Sequence, residues 1–442
     1  MKNIGIDIGT TTISIVVLDA ENRKLLSAKT IPNGSSLDTG KDWERIQAPR
    51  TIVKRVMDLL EEIIGNYPDF AAIGVTGQMH GIVYLDDEGY ILDPLYTWQD
   101  QRATLPVFNG KSMTELIEEK CGIVVPTGYG LATHLYNQRM GLVPKRAHCL
   151  CTMGDYLAMK LSGRKKPVLH ASNAASLGFF DVKKGCFDTE AFAAMGGEVS
   201  FLPPVTGKVV RLGKYMGIPV TVAIGDNQAS FWGAVGGESG AVLVNMGTGG
   251  QISMLSDVCY EAPGIEARPF NNGKFLLAGS SLCGGSAYSI LERFFRIYAA
   301  AAGAPKGPQY DVMASLLSSL EGESNLKVQT TFCGTRLDPN ETGHVLGITD
   351  RNFTPAHLIL GVLDGMAQEL YDMYQVMAKG TGTRAAHLIG SGNALRKNPR
   401  LQKIFGEKFG SPLEMSPWME EAACGAAISS LHGELWEEEQ RS

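Results

Sequence analysis

The chain has 442 residues, 44% of them hydrophobic, which is too long for one ordinary core and apolar enough for two. A formal net charge of −6 and a pI near 5.8, with no long basic run, exclude an electrostatic reason to bind nucleic acid or an anionic membrane. No apolar run reaches the length of a bilayer span and the N-terminus shows no signal-peptide layout, so a cytoplasmic, globular, two-domain α/β protein is expected.

In chain order, Ile4 to Ser14 comes first. It is β-rich, broken at Gly9-Thr10-Thr11, and reads as a hairpin with an exposed tip. A strand follows at Lys24 to Thr30, then a helix with Pro49 in its first turn, an apolar stripe Val53, Val56, Leu60 and Ile63 or Ile64, and a stop at Gly65. Ala71 to Thr76 is a short strand ending in Gly77-Gln78-Met79-His80-Gly81. In open α/β sheets, ligands sit just beyond such strand ends. Ile82 to Leu85 and Ile91-Leu92 form a further hairpin leading into Thr97-Trp98-Gln99-Asp100-Gln101-Arg102.

Gly128 to Thr133 precedes a helix through Tyr136, Met140 and Leu142; Ala147 to Met153 is a strand and Asp155 to Leu161 a helix. The small polar run His170 to Ser176 reads either as a ligand approach or as a tightly packed turn. Pro219 to Ile224 is a strand, and the helix that follows opens at Gly225-Asp226-Asn227-Gln228. Gly236 to Gly240 reads as the hinge between domains 1–237 and 238–442.

The second half opens at Val242 to Met254, where Val244-Asn245-Met246-Gly247-Thr248 repeats the pattern of Ile6-Asp7-Ile8-Gly9-Thr10, with Thr248 placed 238 residues after Thr10. Two such tips, with glycine for close approach and threonine hydroxyls beside unspent N–H groups, suit phosphate oxygens; taken singly, each is an ordinary hairpin. Phe275 to Ala278 is a strand, followed by Gly284-Gly285 and a helix over Ala287 to Arg296. Thr354 caps a long helix ended by Gly380, Ala386 to Ile389 runs into Gly390-Ser391-Gly392-Asn393-Ala394 before a helix over Asn398 to Phe409, and Glu420 to Leu435 is an Ala-rich helix packing back on the first domain. The eight cysteines are scattered, with Cys149 and Cys151 one residue apart. They read as buried reduced thiols rather than a zinc site.

Three clusters carry chemistry. Asp7 in an apolar strand needs a cation or donors, and Mg²⁺ is the natural companion of a bound triphosphate. Trp98, Asp100 and Arg102 fit sugar recognition, an indole against C–H faces and charged groups on vicinal hydroxyls; they fit equally a surface loop with an Asp100–Arg102 ion pair. Asp226 at a strand end reads as a reactive carboxylate or as a helix N-cap. His80 alone is ordinarily a satisfied structural histidine.

Taken together, the two hairpins, Gly77 to Gly81, Gly225 to Ala229, Gly390 to Ala394 and Glu421 to Ala427 make the chain resemble the FGGY carbohydrate kinases over nearly its full length. The resemblance implies an actin-like, Hsp70-like (ribonuclease H-like) ATPase fold with duplicated sheet domains, with ATP and Mg²⁺ as cofactors and a sugar as substrate. It implies Asp226 as catalytic base. Gln78, Met79, His80, Trp98, Asp100, Arg102, Asp226 and Asn227 would contact the sugar. Asp7, Gly9, Thr10, Thr11, Gly247, Thr248, Gly249, Gly285, Gly390, Gly392 and Asn393 would contact the nucleotide, and Asp7 the metal. Thr97 to Asp100, Thr127 to Thr133, Ser172 to Phe180 and Gly390 to Leu395 look like sedoheptulokinases more than xylulokinases, although Gln78-Met79-His80 is shared with the latter. Ser391 and Arg396 to Asn398 depart from the family's usual adenine turn. Closure about the hinge would exclude water from the reaction. A homodimer is one assembly the chain allows. An ATPase switch of the same fold would not need Gln78, Met79, His80, Trp98 and Asp226 together, and a silent sugar-binding regulator would be expected to lack Asp226 or Asp7.

Overall fold

The structure, a computed structural model, describes residues 1–19, 21–236, 240–304, 306–320 and 325–436. The centre of the expected hinge, 237–239, lies outside the described residues. The chain divides into two compact units: Met1–Gly237 with Arg268–Lys274 and Trp418–Ser442, and Glu238–Ala267 with Phe275–Pro417.

Among the described residues, the first unit carries an eight-stranded sheet. Lys2–Ile8 lies between Phe70–Gly77, to which it is parallel, and Thr12–Asp19, to which it is antiparallel. Ile4, Ile6, Ile8, Ile13, Ile15 and Val17 are fully buried, as a central strand covered on both faces requires. Lys24–Pro32 at the sheet's edge alternates exposed and half-buried residues instead. The helix Pro49–Asn66 buries Ile52, Val56, Leu59, Leu60 and Ile63, a stripe at helical spacing contributing about 1.5–3 kcal/mol for each large side chain removed from water. The apolar stripe therefore starts at Ile52 and not at Val53, which is half-buried. Gly65 lies inside the helix, which ends when Tyr67 turns extended at φ −132°.

The last helix is shorter than its composition suggests. It runs over Glu421–Ser429, then tightens to a 3₁₀ turn at Ser430–His432, and Glu434–Leu435 joins the first unit's sheet beside Val210–Tyr215. Its small residues let it lie directly on the sheet: a Cβ at Gly5 would overlap the Ala423 carbonyl, and one at Gly74 that of Ala426.

The second unit holds a six-stranded sheet among the described residues, ordered Ile265–Pro269, Phe275–Ser281, Gly250–Ser256, Ala241–Met246, His387–Ser391, Leu413–Met415. The long helix Pro355–Thr381 starts at Thr354, whose hydroxyl accepts from the His357 N–H, and ends at Gly382 with φ +71°. Gly380, read from sequence as its end, is interior and packs under the Tyr260 ring. No helix among the described residues is long and apolar enough to cross a membrane.

Candidate active site

In the first unit, register alone brings distant residues to one sheet edge. Asp7 pairs with Thr76 and Ile8 with Gly77, while Gly77 pairs on its other side with Gly225. Three strands thus end together. Their carboxyl ends release Gly9-Thr10, Gln78-Met79 and Asp226-Asn227 side by side, with Thr76 donating its hydroxyl to the Ile224 carbonyl at 2.8 Å. The helix Asp226–Val235 is capped by Gly225, with no side-chain cap bond. Asp226 is therefore the first helical residue and not the N-cap.

Hydrogen bonds knit these ends together. Thr10 Oγ1 donates to Gln78 Oε1 at 3.2 Å and lies 3.0 Å from the Trp98 indole N–H, while Gln47 donates to the Thr10 carbonyl at 2.8 Å and accepts from Gln78 at 2.9 Å. Asn227 reaches the Asp226 carboxylate at 3.1 Å and the Met79 sulfur at 3.8 Å. His80 sits at φ +70°, its ring stacked on Tyr129 at 4.3 Å and its Nδ1 2.8 Å from the Ser176 carbonyl. Trp98 is 45% exposed, leaving indole surface for a ligand.

The run His170 to Ser176 is a buried helix, Ala171–Ser176, that buttresses the strand end bearing Asp226. Ser172 Oγ accepts from the Gly225 N–H at 2.9 Å, and Asn173 donates to Asp155 at 2.9 Å and to the Ala223 carbonyl at 3.3 Å.

Asp100 and Arg102 require a correction. Their exposures are 0% and 1%, and the Arg102 guanidinium binds Asp100 at 2.6 Å, Asn137 at 2.8 Å and Glu44 at 3.0 Å, beneath the Tyr96 ring. They form the ion pair that residue types left open, because a buried guanidinium without partners would cost more than any hydroxyl contact returns. Their role is to set the loop carrying Trp98. Thr127 donates to the Asp100 carbonyl at 3.3 Å, and Gly128, at φ +80°, packs so tightly on the Trp98 carbonyl that no Cβ fits.

The electrostatics of this edge are those of a carboxylate cluster. Burial pushes Asp7 up to about 7, reinforced by the charges of Asp226 and Glu420. Burial likewise raises Asp226 to about 6, with Asn227 and Arg268 pulling the other way. Oxygen donors that repel one another suit a hard dication, and Mg²⁺ ordinarily takes one or two carboxylates plus water and phosphate, so a closed protein cage is not needed. Among the described residues no group of three or more His, Cys, Asp or Glu forms such a cage. Sequence reasoning missed both Glu420, which accepts from Ser14 at 3.2 Å and Thr30 at 3.0 Å, and Arg268. Arg268 opens a segment held against the Asp226 helix by Gln228, which donates to the Pro269 carbonyl at 2.9 Å, and by Phe270, whose ring packs tilted on that of Trp232 with centroids 4.6 Å apart. No local pattern marks either residue.

The second unit has a cavity of about 1230 Å³, lined by Gly247, Thr248, Gly285 and Asn393 among others. The strand ends again explain it, since Asn245 pairs with Ser391. The start of the helix Gly284–Ala301 is bound to the hairpin tip, with Gly285 N–H to the Gly247 carbonyl at 3.0 Å and Ser286 N–H to that of Thr248 at 2.9 Å. Gly392, at φ +88°, lies against the Met246 backbone where a Cβ would collide, and Gly390 is packed on Leu413. These two shape the turn by close packing, while Tyr288 and Tyr310, stacked at 5.8 Å, and Lys397 and Arg400 add flat and cationic walls to the cavity; of these four, sequence reasoning touched only Lys397, within the run Arg396 to Asn398.

Two α/β units, one ending in a carboxylate cluster and one in a glycine-lined cavity, make up a chain of the actin-like ATPase fold. The chain belongs to the FGGY family of carbohydrate kinases: residues 3–233 match the family's N-terminal domain and 242–433 its C-terminal domain. It is 26% identical to the sedoheptulokinase of Homo sapiens over 99% of this chain and 98% of that one. It is also 26% identical to a glycerol kinase of Dechloromonas aromatica, over 83% of this chain and 76% of the other. Its fold matches the crystal structure of xylulose kinase from Rhodospirillum rubrum with a TM-score of 0.80 and 21% identity, covering 98% and 90% of the two chains.

Proposed function

We propose that the protein transfers the γ-phosphoryl group of ATP to the terminal primary hydroxyl of a ketose, with sedoheptulose, giving sedoheptulose 7-phosphate, as the leading substrate. The observation that carries this reading is Asp226: a carboxylate at a strand end, not a helix cap, raised only to about 6 and so ionised at neutral pH. A primary alcohol is a weak nucleophile. The Asp226 carboxylate takes the hydroxyl proton as the oxygen bonds to the γ-phosphorus and the bond to the β,γ-bridging oxygen breaks, leaving ADP. The first unit supplies the sugar side through Gln78, Met79, His80, Trp98 and Asn227. Thr10, Thr11 and the Gly247 to Gly249 tip supply donors to phosphate oxygens, and the tyrosine-walled cavity takes the base. Mg²⁺ held at Asp7 would neutralise phosphate charge.

Support for a long ketose comes from the shell behind the sugar-side residues. Gly128, Tyr129 and Ser176, which hold Trp98 and His80 in place, all fall in stretches that look like sedoheptulokinases. A site that hydrogen-bonds a hydroxyl rejects analogues lacking it, because its polar groups are left unpaired. A coupled ADP assay over sedoheptulose, xylulose, ribulose, fructose and glycerol tests the ranking. A higher kcat/KM for xylulose than for sedoheptulose would reject the substrate while retaining the kinase; ADP release without any sugar would point to an ATPase switch.

A further inference from the structure

We propose that Cys283 and Cys333 form a reversible disulfide that governs the nucleotide side of the site. Their sulfurs lie 3.6 Å apart although 50 residues separate them in sequence. A disulfide needs about 2.0 Å, so closure asks for a small approach of one side chain.

The two thiols are unequal in a way that suits such chemistry. Cys283 is 1% exposed and anchored: its N–H donates to Ser281 Oγ at 3.2 Å, Ser281 in turn donates to Glu369 at 2.8 Å, and Ser286 Oγ donates to the Cys283 sulfur at 3.6 Å. Cys333 is exposed, on the connection between the strands Lys327–Gln329 and His344–Leu346. The exposed thiol meets the oxidant, and the buried one resolves it. With hydrogen peroxide, the Cys333 thiol is oxidised to a sulfenic acid with release of one water. The Cys283 sulfur then displaces hydroxide from it, so that a second water leaves and the S–S bond forms. A low-molecular-weight thiol reverses the step by exchange. In chains of reducing compartments, disulfides are ordinarily transient and sensing.

The consequence follows from where Cys283 sits. It is the residue before Gly284, the first residue of the helix Gly284–Ala301, and a Cβ on Gly284 would overlap the Gly249 backbone. The next two N–H groups hold the carbonyls of Gly247 and Thr248. A bond that draws Cys283 toward Cys333 and disturbs its contact with Ser286 is thus transmitted to the hairpin tip, because packing there leaves no slack. This second half of the inference rests on the nucleotide reading proposed above.

The test treats the full-length protein with a few equivalents of hydrogen peroxide, blocks remaining thiols with N-ethylmaleimide and maps peptides without reduction. The expected result is one cross-linked Cys283–Cys333 peptide, six blocked thiols in place of the eight cysteines of the chain, and full reversal by dithiothreitol. Cys333→Ser should give no cross-link and Cys186→Ser, at the other exposed cysteine, an unchanged one. Oxidation beyond the sulfenic acid without a cross-link, or pairing through Cys186, overturns the disulfide. In the same samples the KM for ATP should rise several-fold on oxidation of the unaltered chain but not of Cys333→Ser, with the KM for sugar unmoved. A complete cross-link with an unchanged ATP KM overturns the coupling to the hairpin. A chain inert toward every sugar overturns the proposed function and leaves the thiol map standing.

Discussion

Replacing Asp7 by Asn should make the ligand-free protein more stable at alkaline pH while removing its activity. The folded chain holds the Asp7 carboxyl up to about 7, against an ordinary value of 3.8, by burial first and then by the charges of Asp226 and Glu420. Between those values the folded state keeps a proton that the unfolded state has released. Stability therefore falls as pH rises through this window, and the whole penalty stands above pH 7. A separation of about three pH units corresponds to about 4 kcal/mol as an upper limit; since the side chain is partly exposed, screening reduces this to on the order of 1–3 kcal/mol. Asparagine keeps the shape and removes the charge. At about 2–4 °C per kcal/mol for a chain segment of this size, Asp7→Asn should melt several degrees above the unaltered protein at pH 8 and lose more than half of that advantage at pH 5, both measured by calorimetry in EDTA. Adding Mg²⁺ and ATP should raise the melting temperature of the unaltered protein and not of the variant. A variant that melts no higher at pH 8, or by the same margin at both pH values, would refute the carboxylate cluster as the source of strain.

Asp226→Asn should lower kcat by about 10²-fold or more with sugar binding retained in calorimetric titration; a variant keeping a tenth of the turnover would return Asp226 to a structural role. Because the base must be ionised and its carboxyl is raised to about 6, kcat/KM should fall below pH 6 along a limb of unit slope. Arg268→Gln removes a charge that lowers the Asp226 carboxyl, so that limb should move to higher pH; an unmoved limb would detach Arg268 from the base. Gly425→Ala should destabilise the first unit by about 1–3 kcal/mol, seen as a lower urea midpoint with an unchanged slope, since its Cβ would overlap the Ala229 carbonyl on the Asp226 helix.

By itself the sequence determined the elements whose signals are local. Alternating isoleucines mark Lys2–Ile8 and Thr12–Asp19 as paired strands, and Thr354 and Pro355 mark a helix start, because side-chain period and caps are properties of neighbouring residues. The repeat of the Gly-Thr hairpin pointed to two like domains, and the fold class followed from the resemblance to the FGGY carbohydrate kinases. Helix ends were less legible: Gly65 and Gly380 look like stops but lie inside helices, since packing along a buried stripe outweighs about 1 kcal/mol of glycine propensity. Only the tertiary structure decided which polar residues face one another. Asp100 and Arg102 read equally as ligand groups until burial against Glu44 and Asn137 assigned them to the framework. Glu420 and Arg268 come to the Asp7–Asp226 edge from distant segments. Cys283 meets Cys333 across 50 residues. Charge and thiol proximity depend on distance in space, which strand register and chain return create and no local pattern encodes.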